Sequence, residues 1–246
     1  MLRLRDVSWT DQREGVGAMR GVLFDLDGTL LDVEMREFLS RYFRALDETV
    51  SPLFPDVDVV GAVLASTGIM QGPHPGRTNR EAFYSDFCER TGIDLDEQWP
   101  VFEAFYRDVF PTLSDGYGPV SGAREAIEAA QALGWRVAVA TQPIFPESAI
   151  RRRLEWAGLA DIAFDAVTTY EVMQACKPDA AFFRQVCDMI GCEPTDCVMV
   201  GDDAQADMPA SAVGIRTFYV GRGRAKADFR GNLRDLPALF RRLDRT

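Results

Sequence analysis

The chain has 246 residues, 47 % of them apolar and 26 % charged, and a net charge of −11. That composition supports a sizeable core and excludes a disordered chain, and the length holds one large domain or a core with a smaller partner domain. The acidic balance argues against non-specific nucleic-acid binding, and an anionic ligand must be held by a local site against the overall field.

Residues 1–18 read as an N-terminal extension ahead of Met19, which stands next to the first apolar run. They lack the continuous apolar stretch of a signal peptide, and no run in the chain approaches the ~20 apolar residues of a membrane span. The five cysteines, Cys88, Cys176, Cys187, Cys192 and Cys197, are odd in number and show no CxxC and no zinc spacing. They read as reduced, mostly buried small residues of a cytoplasmic protein.

The first strand is predicted at 21–25, in GVLFDLDGTLL. It runs straight into Asp25 and Asp27, two carboxylates that disfavour each other's ionised state unless a cation, a shared proton or a function offsets the repulsion. A long helical stretch follows. Met35, Phe38, Leu39, Tyr42, Phe43 and Leu46 fall on one face of a first helix. Trp99, Phe102, Phe105, Tyr106 and Val109 line another, with Pro100 near its start. Between them, QGPHPGRTNREAF carries His74, Arg77 and Arg80, read either as a surface loop before a helix capped near Thr78 or Asn79, or as an anion contact through Arg77 or Arg80.

From residue 121 onward, helical and strand patterns alternate. Helices are predicted at 121–134, with Ser121 as N-cap and Gly134 closing, at 146–158, opened by Pro146, and at 178–191, with Phe182, Val186, Met189 and Ile190 as its apolar stripe. Apolar runs at 135–141, 163–168, 196–201 and 215–220 suit strands buried on both faces of a parallel sheet. A last amphipathic helix is expected within 233–244. The expected fold is α/β, a Rossmann-like doubly wound parallel sheet with an inserted all-helical cap. The boundaries expected are 19–33 and 114–246 for the core and 34–113 for the cap, with hinges near 32–34 and 111–120.

In such a sheet the carboxyl ends of the strands converge on one edge, where ligands bind. That edge would carry Asp25 and Asp27 from the first strand, Thr141 from the second, Asp202, Asp203 and then Asp207 from the fourth, and Lys177 from the entry to the helix before it. Clustered carboxylates suit a hard cation such as Mg²⁺ together with a substrate phosphate. Lys177, Thr141 and backbone N–H groups of the turn at Gly28 can hold the remaining phosphate oxygens. One carboxylate can then act as nucleophile and a second as general acid and base.

These residues carry a resemblance. DLDGTL, a threonine ending the second apolar strand, Lys-Pro before a helix and GDDAQAD after a further strand resemble the haloacid dehalogenase superfamily, in its phosphatase-like branch with a helical C1 cap. The resemblance implies Asp25 as nucleophile and metal ligand, and Asp27 as general acid/base with its main-chain carbonyl on the metal. It implies Thr141 and Lys177 as phosphate contacts and Asp202 as metal ligand. Gly28, Thr29, Gln142, Asp203, Asp207 and Arg77 are accessory positions: Asp203 as a metal-shell residue, Asp207 as a brace for its loop or for Lys177. Members that cleave carbon–halogen bonds lack the second aspartate, so Asp27 favours phosphoryl transfer. The family's threonine is often followed by Asn, whereas Gln142 and Pro143 stand here. The expected function is a Mg²⁺-dependent phosphomonoesterase acting on a small phosphorylated metabolite through an aspartyl-phosphate. The alternatives are a phosphotransferase or sugar phosphomutase and a non-catalytic phosphate-binding regulatory protein. The step of 116 positions from Asp25 to Thr141 is too long for a receiver domain.

Overall fold

A computed structural model describes residues 19–245; the extension expected at 1–18 lies outside the described residues. The centre of the fold is β1 (Gly21–Phe24), whose apolar side chains are fully buried on both faces. It is flanked by β4 (Arg136–Val139) and β6 (Cys197–Gly201) in parallel register, with Leu23 opposite Ala138 and Met199. β5 (Ala166–Val167) extends one side, and β7 (Arg216–Tyr219) and β8 (Phe229–Arg230) the other, giving the all-parallel order β5-β4-β1-β6-β7-β8. Because successive side chains point to opposite faces, Val22 and Phe24 pack on one side and Leu23 on the other. α5 (Ala123–Ala132), α6 (Glu147–Trp156) and α8 (Leu236–Leu243) cover the first face, and α7 (Ala180–Ile190) covers the second. This is the doubly wound α/β sheet expected.

The chain leaves the sheet through β2 (Leu31–Asp32) and returns through β3 (Gly118–Pro119). These pair antiparallel, Leu31 opposite Pro119, so the two expected hinges form one short ribbon. Everything between them is helical: α1 (Met35–Thr49), α2 (Val59–Met70), α3 (Asn79–Thr91), α4 (Leu95–Ala104), a π-type turn over Phe105–Val109 and 3₁₀ turns at 51–53 and 110–114. α1 starts at Glu34, whose carboxylate accepts from the Arg36 and Glu37 N–H groups, and buries Phe38, Tyr42 and Leu46. α3 starts with a reciprocal capping box between Thr78 and Glu81.

Three local expectations are corrected. Ser121 is not the cap of α5: its hydroxyl accepts from Arg234, and Gly122 caps the helix at φ 88, where a Cβ would meet Arg234 at 2.7 Å. Met189 is 39 % exposed, because the buried arc of α7 runs through Phe182, Phe183, Val186, Cys187 and Ile190 and Met189 falls just past its edge. Pro100 sits inside α4, since Asp94 caps the helix six residues earlier. All five cysteines are free, and all but Cys88 are buried. No helix among the described residues is long and apolar enough to cross a membrane.

Candidate active site

β1 and β6 end side by side, and the Asp25 N–H donates to Val200 O at 2.9 Å, which fixes the first carboxylate at the sheet edge. Two residues after Asp202, the chain turns so that Asp207 points back into the same place. The Lys177 ammonium lies between them, 2.6 Å from Asp25 Oδ1 and 2.7 Å from Asp207 Oδ1, with all three residues at most 6 % exposed. Burial pushes the lysine pKa down, but the Asp207 and Asp25 charges more than offset it, so Lys177 is held charged. Burial pushes Asp25 well above the usual carboxylate range; Lys177 pulls the other way, and the Asp207 and Asp27 charges add to the rise.

Asp202 accepts from Thr29 Oγ1 at 3.2 Å and is pushed up to about 6, first by burial and then by the Asp207 charge. Gly28 makes its approach possible: at φ 79 it turns the chain tightly, and a Cβ there would lie 2.4 Å from Asp202 Oδ2. Oxygens of Asp25, Asp202 and Asp207 come within 4.8 Å of one another. With Asp27 and Asp203, five carboxylates meet two cations, Lys177 and Arg153 (described below), so the donor set is oxygen-only and carries excess negative charge. It therefore fits a hard divalent cation such as Mg²⁺.

Asp207 also accepts from the Asp203 N–H at 3.0 Å, bracing the loop. Asp203 is exposed, and its carboxylate is spent on the N–H groups of Gln205 and Ala206. Thr141, 1 % exposed, lies two residues past the end of β4 and lines the same pocket. Gln142 makes two bonds to the backbone of Lys177: Nε2 donates to its carbonyl at 3.1 Å and Oε1 accepts from its N–H at 2.9 Å. The residue standing where the family often has Asn thus fixes the lysine.

Asp27 brings in a residue that the sequence did not single out. Arg153, on α6 and 1 % exposed, places Nη1 2.6 Å from Asp27 Oδ2. Its guanidinium lies 4.7 Å from the Phe145 ring and 5.7 Å from the Phe38 ring. Asp27 Oδ1 and Arg153 Nε and Nη2 are buried without partners. In the sequence Arg153 is the third of three arginines, and only its place beside Ile150 and Leu154 on the apolar face hinted at burial.

Arg77 is exposed and does not line the pocket. Arg80 lies over Tyr84, 4.0 Å from the ring, and pairs with Asp96. Their stretch instead anchors the helices to the sheet. The Asn79 N–H donates to Met173 O and its Nδ2 to Pro143 O, while its Oδ1 pairs with Nε2 of the buried His74. The sequence showed His74 only as a loop residue and Asn79 only as a candidate helix cap.

A sequence model of the haloacid dehalogenase-like hydrolases matches residues 19–213. The chain belongs to that family. Among curated relatives, the haloacid dehalogenase-like chain is 25 % identical over 208 residues to a pyrophosphatase, PpaX, of Bacillus velezensis, covering 85 % of this chain and 83 % of that one. It is 29 % identical over 208 residues to a phosphoglycolate phosphatase of Rhodospirillum rubrum, covering 84 % and 81 %. These relatives put it among the family's phosphatases. A phosphatase structure from Thermococcus onnurineus shares the fold at a TM-score of 0.56 and 22 % identity, over 90 % of this chain and 97 % of that one.

Proposed function

We propose that the protein is a Mg²⁺-dependent phosphomonoesterase that works through an aspartyl-phosphate on Asp25. The observation that carries this reading is the convergence of Asp25, Asp202 and Asp207 around Lys177, with Asp27 two residues from the nucleophile. Asp25, Asp202 and the main-chain carbonyl of Asp27 would hold Mg²⁺, which supplies charge neutralisation at the phosphoryl oxygens. Lys177 holds Asp25 Oδ1 and leaves Oδ2 for phosphorus. As the new O–P bond forms, the ester P–O bond breaks, and Asp27 gives its proton to the departing oxygen. Asp27 then takes a proton from the water that attacks the aspartyl-phosphate, releasing phosphate and restoring Asp25. Because Arg153 holds Oδ2 of Asp27, the proton travels on the unpartnered Oδ1. Thr141 and Lys177 bind phosphoryl oxygens, and Gln142 positions the lysine.

The test is phosphate release from an aryl phosphate with and without Mg²⁺, for wild type and Asp25→Asn. Metal-dependent release that the substitution abolishes is expected. Absence of release, together with failure of beryllofluoride to form an adduct, overturns the reading in favour of a non-catalytic phosphate-binding protein.

A further inference from the structure

A second cavity lies beside the catalytic pocket, where the inserted helices meet the loop after β4. It measures about 300 Å³, at the low end of pockets that take small organic ligands. Its walls include Leu39, Phe43, Trp99, Phe102 and Phe145, and none of the residues lining it is charged. Its polar atoms are largely spent on each other: the Tyr42 and Tyr106 hydroxyls pair at 2.9 Å, and Thr67 Oγ1 donates to Val63 O. Tyr170 Oη is a neutral, buried hydroxyl facing Tyr84, and Gln71 adds a neutral amide.

The two cavities have no lining residue in common but are walled by neighbouring residues of the same two segments. Met35 and Gln142 line the catalytic pocket, and Leu39 and Ile144 line the apolar one. Met35 and Leu39 are one turn apart on α1, about 6 Å along its axis. Phe145, a wall of the apolar chamber, holds the guanidinium that pairs with Asp27. Asp27, which protonates the leaving oxygen in the reading above, is thus tied through Arg153 to a wall of the chamber. Space is also reserved there. Gly68 stands inside α2, where glycine weakens a helix, and a Cβ at that position would meet nothing within 4 Å. It lines the chamber.

We propose that this chamber seats the leaving group, so that the substrates are phosphate monoesters of neutral, hydrophobic alcohols. This rests on the phosphomonoesterase reading above. The contrast with a carboxylate-bearing ester is direct. Among the residues lining the catalytic pocket the cation is Lys177, already shared by Asp25 and Asp207, and the chamber adds none.

The experiment measures kcat/KM for n-alkyl phosphates from methyl to decyl, with 2-phosphoglycolate beside them, in Mg²⁺. A rise of about fourfold per methylene is expected until the chamber is full, from the transfer gain of a buried CH₂, with 2-phosphoglycolate below ethyl phosphate. Gly68→Phe is expected to flatten the rise; Gly68→Leu serves if that variant does not fold. Phosphate release with no dependence on length, or a preference for 2-phosphoglycolate, overturns the apolar leaving group and leaves the phosphomonoesterase standing. Absence of release from every ester, with and without Mg²⁺, overturns the phosphomonoesterase. Binding of 1-octanol, followed by Trp99 fluorescence, then decides on the chamber. Saturable quenching lost in Gly68→Phe supports it, and no quenching overturns it.

Discussion

Arg153→Met removes a buried guanidinium and leaves the Asp27 carboxylate without its 2.6 Å partner. Breaking a buried pair from one side costs about 3–5 kcal/mol. Part of that is returned, because the substitution also deletes two buried N–H groups that have no hydrogen-bond acceptor. Such a group costs about 1–3 kcal/mol when bare, but here the Phe145 and Phe38 rings partly satisfy the cation, a contact worth about 0.5–2 kcal/mol. The lost ion pair therefore wins, by about 2–4 kcal/mol. For a chain of this size that is a fall in Tm of about 5–15 °C. Urea unfolding of metal-free wild type, Arg153→Met, Asp27→Ala and the double variant measures it. The double variant is expected to lose at least about 2 kcal/mol less than the sum of the singles, since neither charge is then left alone. An additive cycle, or a loss from Arg153→Met below about 0.5 kcal/mol, would mean that the pair is not a buried charge pair in solution.

The remaining predictions concern the acidic cluster and its supports. Asp202 has its folded pKa raised to about 6, so its ionised form destabilises the fold above that pH, and the penalty is relieved as pH falls toward the unfolded value. Metal-free Asp202→Asn should therefore melt above wild type at pH 7.5, by about 1–2 kcal/mol after allowing for partial solvent exposure, and the gap should shrink to about half by pH 5 and close only below about pH 4; a gap constant with pH refutes this. Saturating Mg²⁺ should raise the wild-type Tm and leave Asp202→Asn nearly unmoved. Gln142→Ala frees the Lys177 backbone and should lower kcat about tenfold or more with little change in Tm; an unchanged kcat removes Gln142 from the positioning machinery. Asn79→Ala strips partners from His74 and Pro143 and should cost about 2–3 kcal/mol, with amide exchange speeding up around 72–80.

The sheet was legible because its strands are short runs of consecutive apolar residues, and each run expected at 21–25, 135–141, 163–168, 196–201 and 215–220 contains an observed strand. β2, β3 and β8 were not, since none of these two-residue strands lies in a run of consecutive apolar residues like the one that holds β5. The charged edge was legible for a similar reason: Asp25 and Asp202 follow their strands directly and Thr141 follows its strand by two residues, so the topology alone assembles them. Arg153 and Asn79 lie on helices and act across 126 and 64 residues of sequence. Only its place on the apolar face of α6 sets the buried arginine apart from the two beside it, and nothing local marks the asparagine at a helix start as buried.

The β2–β3 ribbon bears on how the chain can reach this structure. Residues 33–117 form an excursion of 85 residues whose ends are clamped together by Leu31 and Pro119. Closure entropy grows only with the logarithm of loop length, so holding those ends costs about 2 kcal/mol more than closing a ten-residue loop. Once the clamp is made, β1 can meet β4 as though the α5 crossover alone joined them. The length and packing of the excursion are thereby uncoupled from the pairing of the central strands, and the helices that wall the apolar chamber can diverge in sequence while Asp25 and Thr141 keep their places on adjacent strands.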